Sequence, residues 1–381
     1  MSSTTYQVCT RCVMDTSDPA ITFDADGICN HCWKFEATSK KYWFPNDEGK
    51  KRLSILIEKI RTEGRSKEYD CIIGLSGGVD SSYLALKTKE WGLRPLVVHV
   101  DAGWNSELAV SNIERIVKHC GYHLHTYVVD WAEMQDLHLS YFRAAIPNQD
   151  APQDHAFFAN LYRFAIENRL KYVLTGGNMA TEGVFPSAWQ GSAMDAINLK
   201  AIHKKYGTRP LRHYRTIGFL GYYFYYPFIR GLRTFRPLDY LPYVKDEAAR
   251  ELEQKIGWRA YRYKHGESIY TKFFQNYYLP QKFGYDKRKP HMSSLILSGQ
   301  LTRDQALAAL AEPLYKPEEL DRDIAYMANK LGLTVPEFHE VMAAKPGSHR
   351  DFANWEGRQA LAKSLSTLVS RMTGKEIKVY S

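Results

Sequence analysis

The chain has little cysteine beyond its first 32 residues, no long aliphatic run and no excess of acid, and each shortage excludes something. No stretch approaches the roughly 18 apolar residues a membrane-spanning helix needs. The nearest, "TIGFLGYYFYYPFI" at Thr216–Ile229, is short, aromatic rather than aliphatic, and flanked by arginines. The start, "MSSTTYQVCTRC", lacks the apolar core of a signal peptide, so a cytoplasmic protein is expected. Only two cysteines, Cys71 and Cys120, lie outside the N-terminal group, which argues against a disulfide scaffold. Lysine and arginine outnumber aspartate and glutamate by 51 to 42 in 381 residues. That balance suits polyanions, with nucleotides, nucleotide sugars and phosphates as good a match as nucleic acid.

The other four cysteines form two C-x-x-C pairs, "CTRC" (Cys9, Cys12) and "CNHC" (Cys29, Cys32). Four thiolates complete the closed tetrahedral shell of a structural zinc site, which leaves no position for chemistry. "DPAITFDADGICNHC" reads as a short strand, an Asp-Gly turn and a return strand, as in a zinc ribbon. His31 is unnecessary as a ligand, and Asp15 and Asp18 read as turn or capping residues.

A second feature is "CIIGLSGGVDSSYLALK" (Cys71–Lys87). A buried-strand pattern, Tyr69–Ser76, breaks at Ser76-Gly77-Gly78 and resumes from Val79 to Gly92 as an amphipathic helix. Glycines permit close backbone approach, and peptide N–H groups at a helix start attract anions, so phosphate is the expected occupant. The loop lacks the lysine of a Walker A motif and carries Asp80 instead. A carboxylate beside phosphates needs a bridging cation, so Asp80 implies Mg²⁺. Further strands are expected at Arg94–Asp101, His123–Asp130 and Lys171–Gly177. Helices are expected through Cys120, from Trp131, over Asp154–Leu170 and over Pro242–Trp258. This alternation predicts a doubly wound parallel sheet with ligands beyond the carboxyl ends of its strands. Ser76, Asp101 and Gly176 then share one rim.

Ser-Gly-Gly-x-Asp-Ser resembles the pyrophosphate loop of the N-type ATP pyrophosphatases (PP-loop enzymes), which adenylate an oxygen. The resemblance implies the adenine nucleotide alpha hydrolase-like (HUP/PP-loop) fold. It implies that Ser76, Gly77, Gly78, Ser81 and Ser82 cradle pyrophosphate and that Asp80 holds Mg²⁺. Adenine and ribose would lie at Asp101 and Gly103, with Gly176, Asn178 and Glu182 in "TGGNMATEG" at the next rim position. Lys245 resembles the lysine on a helix of NAD and GMP synthetases that meets ATP phosphates.

The whole chain resembles the N-acetyl sugar amidotransferases, the WbpG type of lipopolysaccharide and surface-glycan biosynthesis. The carrying segments are "CTRCVMDTSDPAITFDADGICNHC", "GLSGGVDSSYLA", "VDAGWNSELAVSNI", "TGGNMATEG" and "HGESIYTKFFQNYYLPQKFGYDKRKPHMSSLILSGQLTRDQAL" (His265–Leu307). The resemblance implies conversion of an acetamido group on a UDP-linked sugar, a diacetamido uronic acid by expectation, into an acetamidino group for O-antigen synthesis. An O-adenylated imidate would be attacked by ammonia from a separate class I glutaminase similar to HisH. Neither nucleic acid nor a membrane is expected as a partner.

Three domains are expected: a zinc ribbon over 1–50, a PP-loop domain over 51–260 with an aromatic and basic insertion about 184–236, and a helical region over 261–381. In the last, Glu267 and Thr271 stand four apart, on one helical face. With Lys272, Gln275, Arg288 and His291 they make a polar set suited to a substrate pocket. Thr302 and Gln305 form a capping box, and the rest reads as a packing helical tail. No role is assigned within Tyr206–Tyr243. The alternative is a tRNA thiolase of the same class, which would need reactive cysteines near the ATP site. A non-enzymatic zinc-ribbon adaptor is the rival from another class.

Overall fold

The computed structural model describes residues 5–189, 191–262 and 266–360. His265 and the tail beyond residue 360 lie outside them.

The first elements are helices α1 (Asn30–Tyr42) and α2 (Asp47–Gly64), the second running across position 50. A sheet of five parallel strands follows: β1 (Cys71–Gly74), β2 (Pro95–Asp101), β3 (Leu124–Val128), β4 (Tyr172–Leu174) and β5 (Arg233–Phe235), in the order β3-β2-β1-β4-β5. Successive side chains of a strand point to opposite faces, and here both faces are covered. Ile72, Leu96, Val98 and Val173 enter one core, while Cys71, Ile73, Val97 and Leu174 enter another. Such double burial explains why β1 and β2 read as unbroken apolar runs rather than alternating ones.

Helices α3 (Val79–Glu90) and α4 (Glu107–Cys120) cover one face with α9 (Lys245–Ile256). The other carries α5 (Trp131–Ala144), α6 (Ala151–Glu167) and α8 (Ala196–Tyr206), while α7 (Met179–Glu182) is a single turn after β4. Strand order reverses between β1 and β4, so a crevice opens beyond their carboxyl ends. The doubly wound expectation holds. β5 went unforeseen because it is a three-residue edge strand written with arginine and threonine, inside the segment taken as an insertion.

The C-terminal region is helical: α10 (Ile269–Phe273), α11 (Leu279–Phe283), α12 (Arg288–Leu297), α13 (Arg303–Ala311), α14 (Pro317–Lys330) and α15 (Val335–Met342). Tyr270, Phe273, Tyr278, Met327 and Phe338 build a third core with Trp104 and Phe142, which binds this region to the sheet domain. The capping box at Thr302 and Gln305 is formed. One expectation needs correcting. Ser268 caps α10, so Glu267 precedes the helix and shares no helical face with Thr271.

The ribbon is reduced to two isolated antiparallel bridges, Val8 with Asp15 around the first cysteine pair and Phe23 with Cys29 ahead of the second. Its turn is made by Asp24, whose side chain accepts from the N–H groups of Asp26 and Ile28, and by Gly27 at φ 76°.

Candidate active site

The glycine break lies where β1 ends and α3 begins. Gly77 has φ 85°, and a Cβ there would come within 2.7 Å of the Ala109 carbonyl oxygen, so only glycine fits. Its own carbonyl accepts from Trp258 Nε1 at 3.0 Å and the Tyr261 hydroxyl at 2.9 Å. A trans peptide is planar, so anchoring that oxygen turns the Gly78 N–H the opposite way, toward Ser76 Oγ. Ser76 and Ser81 close the loop: their hydroxyls are 3.1 Å apart, and Ser81 Oγ reaches the Gly78 carbonyl at 3.2 Å. Ser82 is enclosed in the first turns of α3, and its hydroxyl has no hydrogen-bonding partner among the described residues.

Gly176, at the end of β4, lies against the start of α3. A Cβ there would stand 2.8 Å from Asp80 C and 2.9 Å from Ser81 N, so two strand ends meet at one helix N-terminus. Asp80, in the first turn of α3, accepts from the Tyr243 hydroxyl and, at 3.4 Å, from the Asn178 amide. Asn178 is fully buried, caps α7 through the Thr181 N–H at 3.0 Å, and donates to Gly176 O at 3.2 Å. Beside it a cluster of charge gathers at Gly177, where a Cβ would lie 3.5 Å from Glu182 Oε2 and 3.6 Å from Arg236 Nε. Asp239 holds the Met179 N–H at 2.6 Å, and burial pushes its carboxyl up to about 6 against the opposing pull of that bond and of Arg236.

Asp101 is turned onto its own loop, accepting from Gly103 N at 2.8 Å and Asn105 Nδ2 at 3.0 Å. That loop pairs with the C-terminal region, since Ser106 N donates to Glu267 O at 2.8 Å and Ile269 N to Trp104 O at 3.0 Å. The pairing carries Glu267 to the glycine break, where its Oε1 would be 3.2 Å from a Cβ on Gly78.

Lys245 begins α9, with its N–H capped by Gln300 Oε1 at 3.0 Å. Its Nζ lies 3.4 Å from His291 Nε2, while His291 Nδ1 is 3.0 Å from the Thr181 carbonyl. A carbonyl only accepts, so Nδ1 carries the proton and Nε2 faces the ammonium as an acceptor. Helix α12 thereby sets the position of the lysine.

The four cysteine sulfurs lie together, with Cys9–Cys32, Cys12–Cys29 and Cys29–Cys32 separations of 3.8, 3.6 and 3.7 Å, and all four residues are buried. Zinc–sulfur bonds of about 2.3 Å give a tetrahedron with edges of roughly 3.8 Å, so the donor set fits that ion. Backbone N–H groups of Arg11, Cys12 and Cys29 point at Cys9 Sγ at 3.2–3.4 Å, as a thiolate requires. His31 does not compete: it pairs with Asp18 at 2.6 Å. Asp15 is more than a turn residue, since it is fully buried and bound to Lys289 of α12.

Residues 267–366 match the family described as LPS biosynthesis protein WbpG-like, C-terminal domain. The chain carries a WbpG-like C-terminal domain. No curated protein matches the chain. Among solved structures it is similar to an NH3-dependent NAD synthetase from Campylobacter jejuni in complex with the nitrate ion. That match has 13% identity over 41% of this chain and 72% of that one, with a TM-score of 0.27. It is also similar to an NMN synthetase from Francisella tularensis, at 14% identity over 78% and 95% and a TM-score of 0.34.

Within the WbpG-like domain the structure separates the polar set. Glu267 and His291 reach the loop and the lysine. Thr271 donates to Asp150 at 2.9 Å, and Lys272 is paired with Asp323 of α14. Arg288 grips Asp286 and the carbonyls of Ala309, Leu310 and Glu312, tying α12 to the end of α13, and Gln275 stands part-exposed in the π-helical turn Phe274–Tyr278. Sequence reasoning missed Tyr243, Trp258, Tyr261 and Gln300. Each acts through atoms delivered from far along the chain, and no local pattern marks such residues.

Proposed function

We propose that the protein is an ATP-dependent, AMP-forming amidotransferase that converts an acetamido group of a UDP-linked sugar into an acetamidino group. The observation that carries this reading is the loop itself: a glycine-lined helix start where Asp80, Asn178, Tyr243 and Gly176 converge, joined to a WbpG-like domain. An amide oxygen is a poor leaving group. Its attack on the α-phosphorus of ATP would break the α–β bridge and give an O-adenyl imidate and pyrophosphate. Ammonia would add to the imidate carbon, the C–O bond would break, and AMP would leave with the oxygen.

The residues position and neutralise charge rather than form bonds. Gly78 and the first turn of α3 would receive the leaving pyrophosphate, with Ser76 and Ser81 shaping the loop and the orphan hydroxyl of Ser82 within the same turns. Asp80 would hold Mg²⁺, whose charge offsets that of the phosphates. Lys245, aimed by His291, would steady the departing negative charge. Asp101 and its loop would flank the nucleoside, and Glu182 and Glu267 the acceptor sugar.

Thiolation is disfavoured by burial. Cys71 is enclosed in β1 with its thiol pushed well up, and burial pushes the Cys120 thiol up to about 11. Neither offers a reactive thiolate at neutral pH. In this reading ammonia is the nucleophile, and a separate glutaminase subunit of the HisH kind would supply it.

The test is incubation with MgATP, ammonium and UDP-linked diacetamido sugars. AMP release with a sugar about one dalton lighter is expected. AMP release that depends on tRNA, with no change in any sugar, would overturn the reading.

A further inference from the structure

The segment Gly221–Ile229 is a π-helix, in which Arg230 N–H reaches back to Tyr225 O at 2.9 Å. Its two faces are the reverse of what a water-exposed surface helix shows. Three tyrosines point inward: Tyr222 and Tyr226 pack on Tyr162, and Tyr222 and Tyr223 on Trp355, while Tyr225 is exposed. The more apolar side chains point outward. Leu220 is 70% exposed, Phe224 46%, Phe228 56% and Ile229 73%. They recur four to five residues apart, which is one stripe of a π-helix, and the Phe224 and Phe228 rings stand 6.4 Å apart on it. A contiguous exposed apolar face of this kind marks a contact surface.

The rim says what the contact is. Ile229 and Arg230 share a shallow basin with Arg169 and Lys171, and the exposed Arg233 follows on edge strand β5. Lys67 joins them by donating to the Arg169 carbonyl at 2.8 Å. Among the described residues Lys171 is paired with Glu63 at 3.4 Å, and Glu68 and Glu167 lie close in sequence to Lys67 and Arg169, so the rim is basic on balance rather than free of acid. An apolar stripe bordered by arginines and lysines is the pattern of a helix lying in the interface of an anionic bilayer. No helix among the described residues is long and apolar enough to cross a membrane, so the contact is peripheral.

We propose that the outward face of this π-helix docks the protein on an anionic lipid bilayer, with Leu220, Phe224, Phe228 and Ile229 entering the acyl boundary. Arg169, Lys171, Arg230 and Arg233 meet the headgroups. The proposal does not depend on the catalytic reading, and its test contains no sugar or ATP.

The full chain is sedimented with vesicles of phosphatidylcholine alone and of phosphatidylcholine with about one third phosphatidylglycerol. Binding to the anionic vesicles is expected to be about tenfold stronger or more, and to weaken with salt. Phe224→Ser/Phe228→Ser should lose about tenfold, and Arg230→Gln about fivefold, with unchanged circular dichroism. Phe228→Trp, which keeps the face apolar, should show blue-shifted emission on anionic vesicles. No binding by the wild type, or binding that the double variant leaves intact, overturns the proposal. So does a wild-type dimer that becomes monomeric in the double variant without any vesicle binding, since a second copy would then be what covers this face.

Discussion

The cysteine cluster and the glycine loop both draw polar groups together around a short segment, and they do so by opposite means. In the cluster every donor comes from within 24 residues, all four sulfurs are buried, and backbone N–H groups point at a sulfur. In the loop the backbone is local but the partners are not: Asn178, Tyr243, Trp258, Tyr261 and Glu267 arrive from elsewhere. A structural site is served by a closed local shell that nothing enters. A site that must admit a substrate, as proposed for the loop, has to stay open on one side, and it is finished by groups hung from different elements.

The two are mechanically joined. Helix α12 carries Lys289, which binds Asp15, and Ser293, whose hydroxyl takes the Val13 N–H at 3.3 Å. The same helix carries His291, which faces Lys245. Arg303 at the start of α13 grips the carbonyls of Cys9 and Cys12 at 3.0–3.2 Å. The cysteine unit therefore braces the helix that aims the lysine.

The sharpest way to part the two sites is Cys12→Ser. Loss of one thiolate should remove zinc binding worth on the order of 10 kcal/mol, seen as loss of bound metal and an early unfolding step. Activity should fall with it, because α12 loses its brace; full activity in the metal-free variant would break the link. Asp80→Ala should do the opposite: AMP formation drops on the order of a thousandfold, about 4 kcal/mol, while zinc content and melting temperature stay put.

Asp239→Asn probes the charge cluster beside the loop. Between about pH 4 and pH 6 the folded protein holds a proton that the unfolded chain has released, so stability falls as pH rises through that window. The amide keeps the oxygen that accepts from Met179 but cannot ionise. At pH 8 thermal melts should show it more stable than wild type by about 3 kcal/mol, with little difference at pH 4. The smallest effect is expected from Arg303→Ala, which should cost about 1–2 kcal/mol with zinc stoichiometry unchanged and a modest loss of kcat.

Much of this architecture was legible in the amino-acid order. "CIIGLSGGVDSS" announces a buried strand, a glycine break and a helix start because strand and helix have different periods and glycine alone reaches φ 85°. The paired cysteines announce their cluster because C-x-x-C spacing places two sulfurs on one turn. Glu267 shows the limit. Placed by helical spacing it belonged with Thr271, yet the Ser268 cap leaves it outside α10, and pairing with the β2 loop delivers it to Gly78.

Alone, then, the sequence determined the alternation of strands and helices, the glycine break and the paired cysteines, since each depends on local periodicity or spacing. Only the tertiary structure decided which distant side chains finish the loop, that His291 presents its unprotonated nitrogen to Lys245, and that the π-helix turns its phenylalanines outward. Those outcomes depend on how helices and strands dock, and docking is set by the summed packing of three cores rather than by any local spacing.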